Sequence, residues 1–542
     1  MRKVYIFDST LRDGSQAQGI SFSVSDKMKI VKKLDEIGIN YIEAGNPGSN
    51  PKDREFFREI KQIPLKNAKI CAFGSTRKIG IKAKDDQNLK ELINAGTSVI
   101  AIFGKAWDFH VTDIIKTTLE ENLNMIYDSI MYLKLHNKEV IFDAEHFFDG
   151  YKKNKDYAIK VLLVAEKAGA DSLVLCDTNG GTMPFEVSEI LKELIDKYHF
   201  KNLGIHCHND SGNAVANSII AVKYGVNHVQ GTITGFGERC GNANLSTIIA
   251  DLQVKMGYDI ITPKNLEQLT ATYRYICEVS NVIPNEKEPY VGSYAFAHKG
   301  GMHIDAVYKN PHSFEHAPPE TVGNERKILM SEVSGRSTVM SIINSVDPNI
   351  KKDSDQVKKI IERLKELEYQ GYQFEGAEGS FELLVRKELG LFRPFFHLIE
   401  YKMMIDKPST TDKSATVAMK IKVNETVEVT AADGYGPVNA LDIALRKALS
   451  VFYKSISSMY LTDYKVRVIG TEKATSAKVR VIIESTDGHK TWTTIGVSSD
   501  IIEASFEALV DSVEYSLLKE ENKNEQKCHD NDTKDISGTC RA

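Results

Sequence analysis

The alternation running through the first half of this chain constrains its fold more than any other feature. Short apolar runs near Val4–Asp8, Tyr41–Ala44, Lys69–Phe73 and Val99–Phe103 read as strands, followed by four more near Val140–Asp143, Ser172–Cys176, Leu203–His206 and His228–Thr232. Between them, stretches such as Ser25–Ile37, Tyr157–Ala168 and Phe185–Tyr198 carry apolar residues at helical spacing. Gly38, Gly96, Gly169 and Gly225 stand where helix C-caps are expected. Eight strand–helix units in about 250 residues predict a (β/α)8 TIM barrel, with an open doubly wound sheet as the competing arrangement.

After Met256 the rhythm changes. Residues 1–257 are expected to form the barrel and 258–406 a set of helical linker subdomains, with "VIPNEKEPYVG" as a connecting segment. Strand patterns return in "ATVAMKIKV", "KVRVIG" and "KVRVIIES", interleaved with helical stretches, so 407–520 reads as a C-terminal α+β domain with its own core. Residues 521–542 have almost no apolar content, and disorder is expected there.

Composition narrows the function. A formal charge of −5 in a chain that is 26% charged and 42% hydrophobic argues against a nucleic-acid binder. No apolar run reaches the roughly 18 residues a membrane span needs. The chain enters a strand pattern at once, so no secretory leader is expected. Seven scattered cysteines without CxxC pairs fit a reduced, cytoplasmic protein.

In a barrel, residues at the C-terminal ends of the strands share one pocket. Asp13 follows the first strand in "IFDSTLRDGSQ", Glu43 ends the second, Glu145 follows the fifth, and Asp177 and Thr178 end the sixth. His206 and His208 in "GIHCHND" have the i, i+2 spacing that puts both imidazoles on one face of a strand, with Cys207 on the other. Two imidazoles and Asp13 make a mixed nitrogen and oxygen set suited to Mn²⁺, Zn²⁺ or Mg²⁺. An HxH alone is as often structural; Asp13 on the same rim gives it weight. Arg12, beside Asp13, would hold an anion next to the metal.

"GFGERCGN" after the eighth strand is not a dinucleotide loop, because Cys240 stands where the third glycine belongs. It reads instead as a tight loop presenting Asn242, whose amide oxygen can ligate a hard metal. Cys207 and Cys240 read more simply as small buried thiols than as nucleophiles. His298 and His303 in "AHKGGMHIDAV" lie beyond the barrel and, as bare residues, read as structural or solvated. A divalent metal next to a fixed arginine is equipment for a 2-oxo acid, with rim carboxylates to move protons as a carbon–carbon bond forms or breaks.

The segments "DSTLRDGSQ", "GIHCHND", "GFGERCGN", "AHKGGMHIDAV", "VGNERKILMSEVSGRS" and "GPVNALDIALRKAL", in this order, resemble the acyl-CoA-dependent Claisen-condensing enzymes. That family includes 2-isopropylmalate, homocitrate and citramalate synthases. "EAGNPGSNPKDREFF" and "FGKAWDFHV" look most like its citramalate-forming branch.

The resemblance implies a divalent metal held by Asp13, His206, His208 and Asn242, and an oxo acid held by Arg12 and Thr178. It places Glu145 at the reacting groups and His303 in the active site of the other subunit of a homodimer, with either as the base. The implied reaction joins acetyl-CoA, pyruvate and water into (R)-citramalate and CoA, on a route to 2-oxobutanoate and isoleucine. The alternative is a 2-isopropylmalate synthase acting on 3-methyl-2-oxobutanoate. A lyase of the 3-hydroxy-3-methylglutaryl-CoA type is disfavoured by the long C-terminal domain, and a non-catalytic sensor by the proton-transfer groups. The C-terminal domain resembles the family's regulatory domain, with isoleucine as the implied feedback inhibitor. There the turn Gly434–Gly436 precedes a helix whose first amides suit a carboxylate, although an ordinary helix entry has the same look.

Overall fold

The computed structural model describes residues 3–536 apart from 201, 329–339, 341–342, 345, 348–349, 352–353, 375, 407–411, 470–476 and 488–490. The chain divides into two compact units, Met1–Phe296 with His316–Arg326, and Ala297–Glu315 with Lys327–Ala542.

The first unit is the expected barrel. Strands β1 (Tyr5–Asp8), β2 (Tyr41–Glu43), β3 (Lys69–Ser75), β4 (Val99–Lys105), β5 (Glu139–Glu145), β6 (Ser172–Asp177), β7 (Leu203–Cys207) and β8 (His228–Gly231) close in sequence order, all parallel. Closure pairs Tyr5 with His228 and Asp8 with Gly231. The four C-cap glycines all take left-handed φ. Inward-facing Phe7, Tyr41, Cys71, Val99, Ala101, Ile141, Val174 and Cys176 fill the barrel. The opposite strand faces pack on the helices through residues such as Ile6, Ile100, Ile102, Phe142 and Leu173. That double burial is why the strands read as nearly continuous apolar runs.

The unit continues past residue 257. "VIPNEKEPYVG" is not a free connection, because Tyr290 and Val291 are buried in the barrel's outer core and the Tyr290 hydroxyl donates to Asp251 at 2.7 Å. Its prolines and charges suggest a linker; two apolar side chains dock it.

In the second unit, β9 (Ala297–His298) pairs with β10 (Lys327–Ile328), and two three-stranded antiparallel sheets follow. One is β11 (His397–Ile405), β12 (Ala415–Val423) and β13 (Thr426–Gly434); the other is β14 (Tyr460–Ile469), β15 (Lys478–Thr486) and β16 (Thr491–Ser498). The helix Pro437–Leu449 buries Leu441, Ala444, Leu445 and Ala448 in their shared core. Helices Asp355–Gln370 and Glu378–Glu388 pack Val357, Ile360 and Phe381 with Ile495 of β16. The fold of the α+β domain therefore reaches back before residue 407. The last helix, Ile501–Ile536, runs past residue 521, and residues 537–542 of the tail lie outside the described residues. No helix among the described residues is long and apolar enough to cross a membrane.

Candidate active site

The turn after β1 builds one side of the site. Ser9 anchors it: its carbonyl accepts from the amides of Arg12 and Gly14, and its hydroxyl accepts from Asp13 N at 3.2 Å. Asp8, buried at the end of β1, accepts from Thr10 N at 3.0 Å and from Ile233 N, beyond β8, at 3.0 Å. The loops after the first and last strands are thus tied together. Burial raises the Asp8 carboxyl to about 7.

Asp13, His206 and His208 converge. Asp13 Oδ2 lies 3.5 Å from His206 Nε2 and 3.8 Å from His208 Nε2, and all three side chains are buried. Burial lowers both imidazoles, His206 to about 4, so both are neutral and able to ligate. Burial alone would raise Asp13, but Arg12 and the surrounding side chains together outweigh it, and the carboxyl falls to about 2.

The loop after β8 supplies Asn242. Its backbone bridges His208, and its Nδ2 donates to Phe236 O at 3.0 Å. A Cβ on Gly241 would lie 2.0 Å from Gly235 O, and one on Gly237 2.2 Å from Asn242 Nδ2, so glycines are what let this loop close around the asparagine. Asp13 Oδ1 and Asn242 Oδ1 are buried without hydrogen-bond partners among the described residues. Orphaned oxygens beside two neutral imidazoles are what a divalent cation would satisfy, and the residues fit one.

Arg12 sits against this cluster. Its Nε donates to Glu43 Oε2 at 2.6 Å, its Nη1 to Asp13 Oδ2 at 3.1 Å, and its guanidinium lies 3.8 Å from the Phe73 ring centre. Nη2 has no partner among the described residues. Arg12, Asp13, Glu145, Thr178, His206 and His208 line one cavity of about 240 Å³, together with Phe73, Phe103, Asp143 and Cys176. Thr178 Oγ1 accepts from His146 N at 2.8 Å, which leaves its proton free to donate to a ligand. His146, directly after Glu145, holds a left-handed φ of 57°, an uncommon conformation for a residue other than glycine.

Several features escape sequence reasoning. Lys105 at the end of β4 pairs with Glu145. Phe103 stacks on Phe73 with ring centres 5.5 Å apart. Gln230, in the middle of β8, bonds to His206 and Asp143. Gln230 had one visible signal, a polar residue two positions after His228 and so on the same face of the strand.

His303 belongs to the second unit, where it stacks on Phe314 at 4.0 Å. His298 is buried there, with Nε2 3.1 Å from Glu315 Oε1. Cys207 is buried and its thiol is pushed well up by burial, as expected of a packing residue; Cys240 is exposed instead, because its loop turns it outward. Gly434 ends β13 and Gly436 precedes the helix Pro437–Leu449. A Cβ on Gly434 would meet Ala440 N at 2.4 Å, so packing already accounts for that glycine.

Residues 3–276 match the HMGL-like family, 290–371 the homocitrate synthase post-HMGL domain-like family, and 375–517 the LeuA allosteric (dimerisation) domain. The chain is 52% identical over 524 residues to the (R)-citramalate synthase of Aquifex aeolicus, covering 96% of this chain and 99% of that protein. Against the (R)-citramalate synthase of Geobacter sulfurreducens the identity is 53% over 524 residues, with the same coverage. The 2-isopropylmalate synthase of Methanocaldococcus jannaschii is more distant, at 32% over 526 residues and 96% of each chain. Matched from barrel to C-terminal domain, the chain belongs to the family of the 2-isopropylmalate, homocitrate and (R)-citramalate synthases.

Proposed function

We propose that this enzyme condenses acetyl-CoA with pyruvate and water, giving (R)-citramalate and CoA. Asp13, His206, His208 and Asn242 would hold a divalent ion, which when bound supplies Lewis-acid polarisation of the oxo group. Arg12 binds the pyruvate carboxylate through its unengaged Nη2 and offsets negative charge as it develops on the oxo oxygen. Thr178 donates its hydroxyl to the same substrate. Glu145, held at the cavity wall by Lys105, is one candidate to take the proton from the acetyl methyl group; His303 of a second copy is the other. Hydrolysis of the citramalyl thioester then makes the sequence effectively irreversible.

Three buried ligand atoms converging beside a held guanidinium carry this reading. Preference for pyruvate over 3-methyl-2-oxobutanoate is supported by the higher identity to the (R)-citramalate synthases, 52–53%, than to the 2-isopropylmalate synthase, 32%; the stacked Phe73 and Phe103 rings line the cavity where the choice would be made. The C-terminal domain is proposed to hold a homodimer together and to bind isoleucine near Gly436. A cytoplasmic location fits the unpaired thiols at Cys71, Cys176, Cys207, Cys240 and Cys277. A thiol-release assay with acetyl-CoA and a panel of 2-oxo acids, with and without chelator, tests the activity. Pyruvate-dependent release abolished by chelator is expected; equal release without any oxo acid would overturn it.

A further inference from the structure

We propose that Gln230, hydrogen-bonded to Asp143, is a positioning residue that fixes His206 as a ligand through its Nε2. The proposal rests on the metal-binding reading above. Gln230 is completely buried inside the barrel. A carboxamide there is costly unless both of its ends are bonded, and an apolar residue beside Phe7, its register partner on β1, would fill the space without that cost. Both ends are bonded. Oε1 lies 2.9 Å from His206 Nδ1, and Nε2 donates to Asp143 Oδ1 at 3.0 Å.

The amide nitrogen faces Asp143 Oδ1 and, at 3.4 Å, His228 Nε2, while the amide oxygen faces His206. With Nε2 committed to Asp143, Oε1 can only accept. His206 must then carry its proton on Nδ1 and its lone pair on Nε2. Nε2 is the atom 3.5 Å from Asp13 Oδ2, on the metal side. His208 lacks this control, since its Nδ1 is buried with no hydrogen-bond partner among the described residues. Asp143 also lines the substrate cavity, so one chain of two hydrogen bonds joins the pocket wall to a ligand. Partners of this kind orient a ligating imidazole and raise its basicity.

Two measurements on the full chain test the proposal. In the metal-free parent, long-range ¹H–¹⁵N spectra, with the His206 signals assigned by loss in His206→Ala, should show the proton on Nδ1; a proton on Nε2 would overturn it. In Mn²⁺ titrations read by the EPR signal of the free ion, Gln230→Leu should bind about 10- to 100-fold more weakly. Asp143→Asn keeps an acceptor for Gln230 and should stay within about threefold of the parent, whereas Asp143→Leu should weaken binding. If His206→Ala lowers Mn²⁺ affinity and a folded Gln230→Leu does not, the positioning role fails alone. If His206→Ala binds Mn²⁺ as the parent does, the metal reading fails with it.

Discussion

Arg12 reaches the cavity with its Nε 2.6 Å from Glu43 Oε2, the same oxygen to which Ser9 Oγ donates. The guanidinium is therefore aimed before any substrate arrives, by a fully buried carboxylate at the end of β2. Preorganised charge of this kind needs little reorganisation when substrate binds. Replacing Glu43 with Gln keeps the shape and removes the charge. The KM for pyruvate should rise about 10- to 100-fold while that for acetyl-CoA hardly moves. Steady-state kinetics with each substrate varied in turn would show it, and an unchanged pyruvate KM would mean Glu43 does not aim Arg12.

Phe73 and Phe103 should govern the choice of oxo acid. Pyruvate is expected to exceed 3-methyl-2-oxobutanoate about 10- to 1000-fold in kcat/KM, since added methyl groups in an apolar pocket are worth a few kcal/mol. Phe103→Ala should narrow that ratio by opening the wall that faces Phe73. A parent enzyme faster on the branched acid would move it to the 2-isopropylmalate group.

The barrel could be read from sequence because most strands are apolar on both faces and four of the helices end at or beside a glycine, Gly38, Gly96, Gly169 and Gly225. The rim was legible too, since Asp13, Glu145, Thr178, His206 and His208 all lie at strand ends, where barrel geometry gathers them. Lys105 and Gln230 were not, because their partners are set by register between strands: Lys105 pairs across to Glu145, and His206 across to Gln230. The strands β11 and β13 were missed for a different reason. Most residues of β11 are exposed and "HLIEYKMMI" does not alternate as β12 does, while "TVEVTAADG" of β13 alternates only over Thr426–Thr430 before "AADG" breaks the pattern.

Isoleucine is expected to inhibit, and Gly436 offers a clean probe. Its backbone is extended, with φ −172°, and an added Cβ meets nothing within 4 Å, so Gly436→Leu should fold. It should leave turnover near that of the parent and weaken inhibition about tenfold or more. Truncation after Asp406 is a poorer test, because it strips β11 of the β12 residues it pairs with, Ile405 with Ala415 among them. Calorimetry that finds leucine bound and isoleucine not would reassign the effector; binding of neither would leave the domain a dimerisation element.

Glu514 should give the second unit a pH signature. Burial raises its carboxyl from 4.5 to about 7, against the hydrogen bond it accepts from Phe395 N at 3.1 Å. The folded form thus holds a proton more tightly than the unfolded chain. The associated stability is complete below about pH 4.5 and is lost as pH rises through about 7, amounting to about 3 kcal/mol at most. Glu514→Gln should flatten the fall in Tm between about pH 5 and pH 8 in scanning calorimetry. An equally steep fall in the variant would place the titration elsewhere.

The bond from Ile233 N to Asp8 spans 225 residues of chain. A ribosome delivering this protein releases β1 and the Arg12–Asp13 turn first, and they must wait for β8 before their neighbours exist. Contacts this distant in sequence are slow to form, because loop closure precedes their reward. During synthesis the first strand would stand with one edge bare, a state open to wrong pairings until the eighth strand arrives. A pulse of tightly held Mn²⁺ during refolding would therefore mark the moment the barrel shuts, and should coincide with the last slow phase rather than precede it.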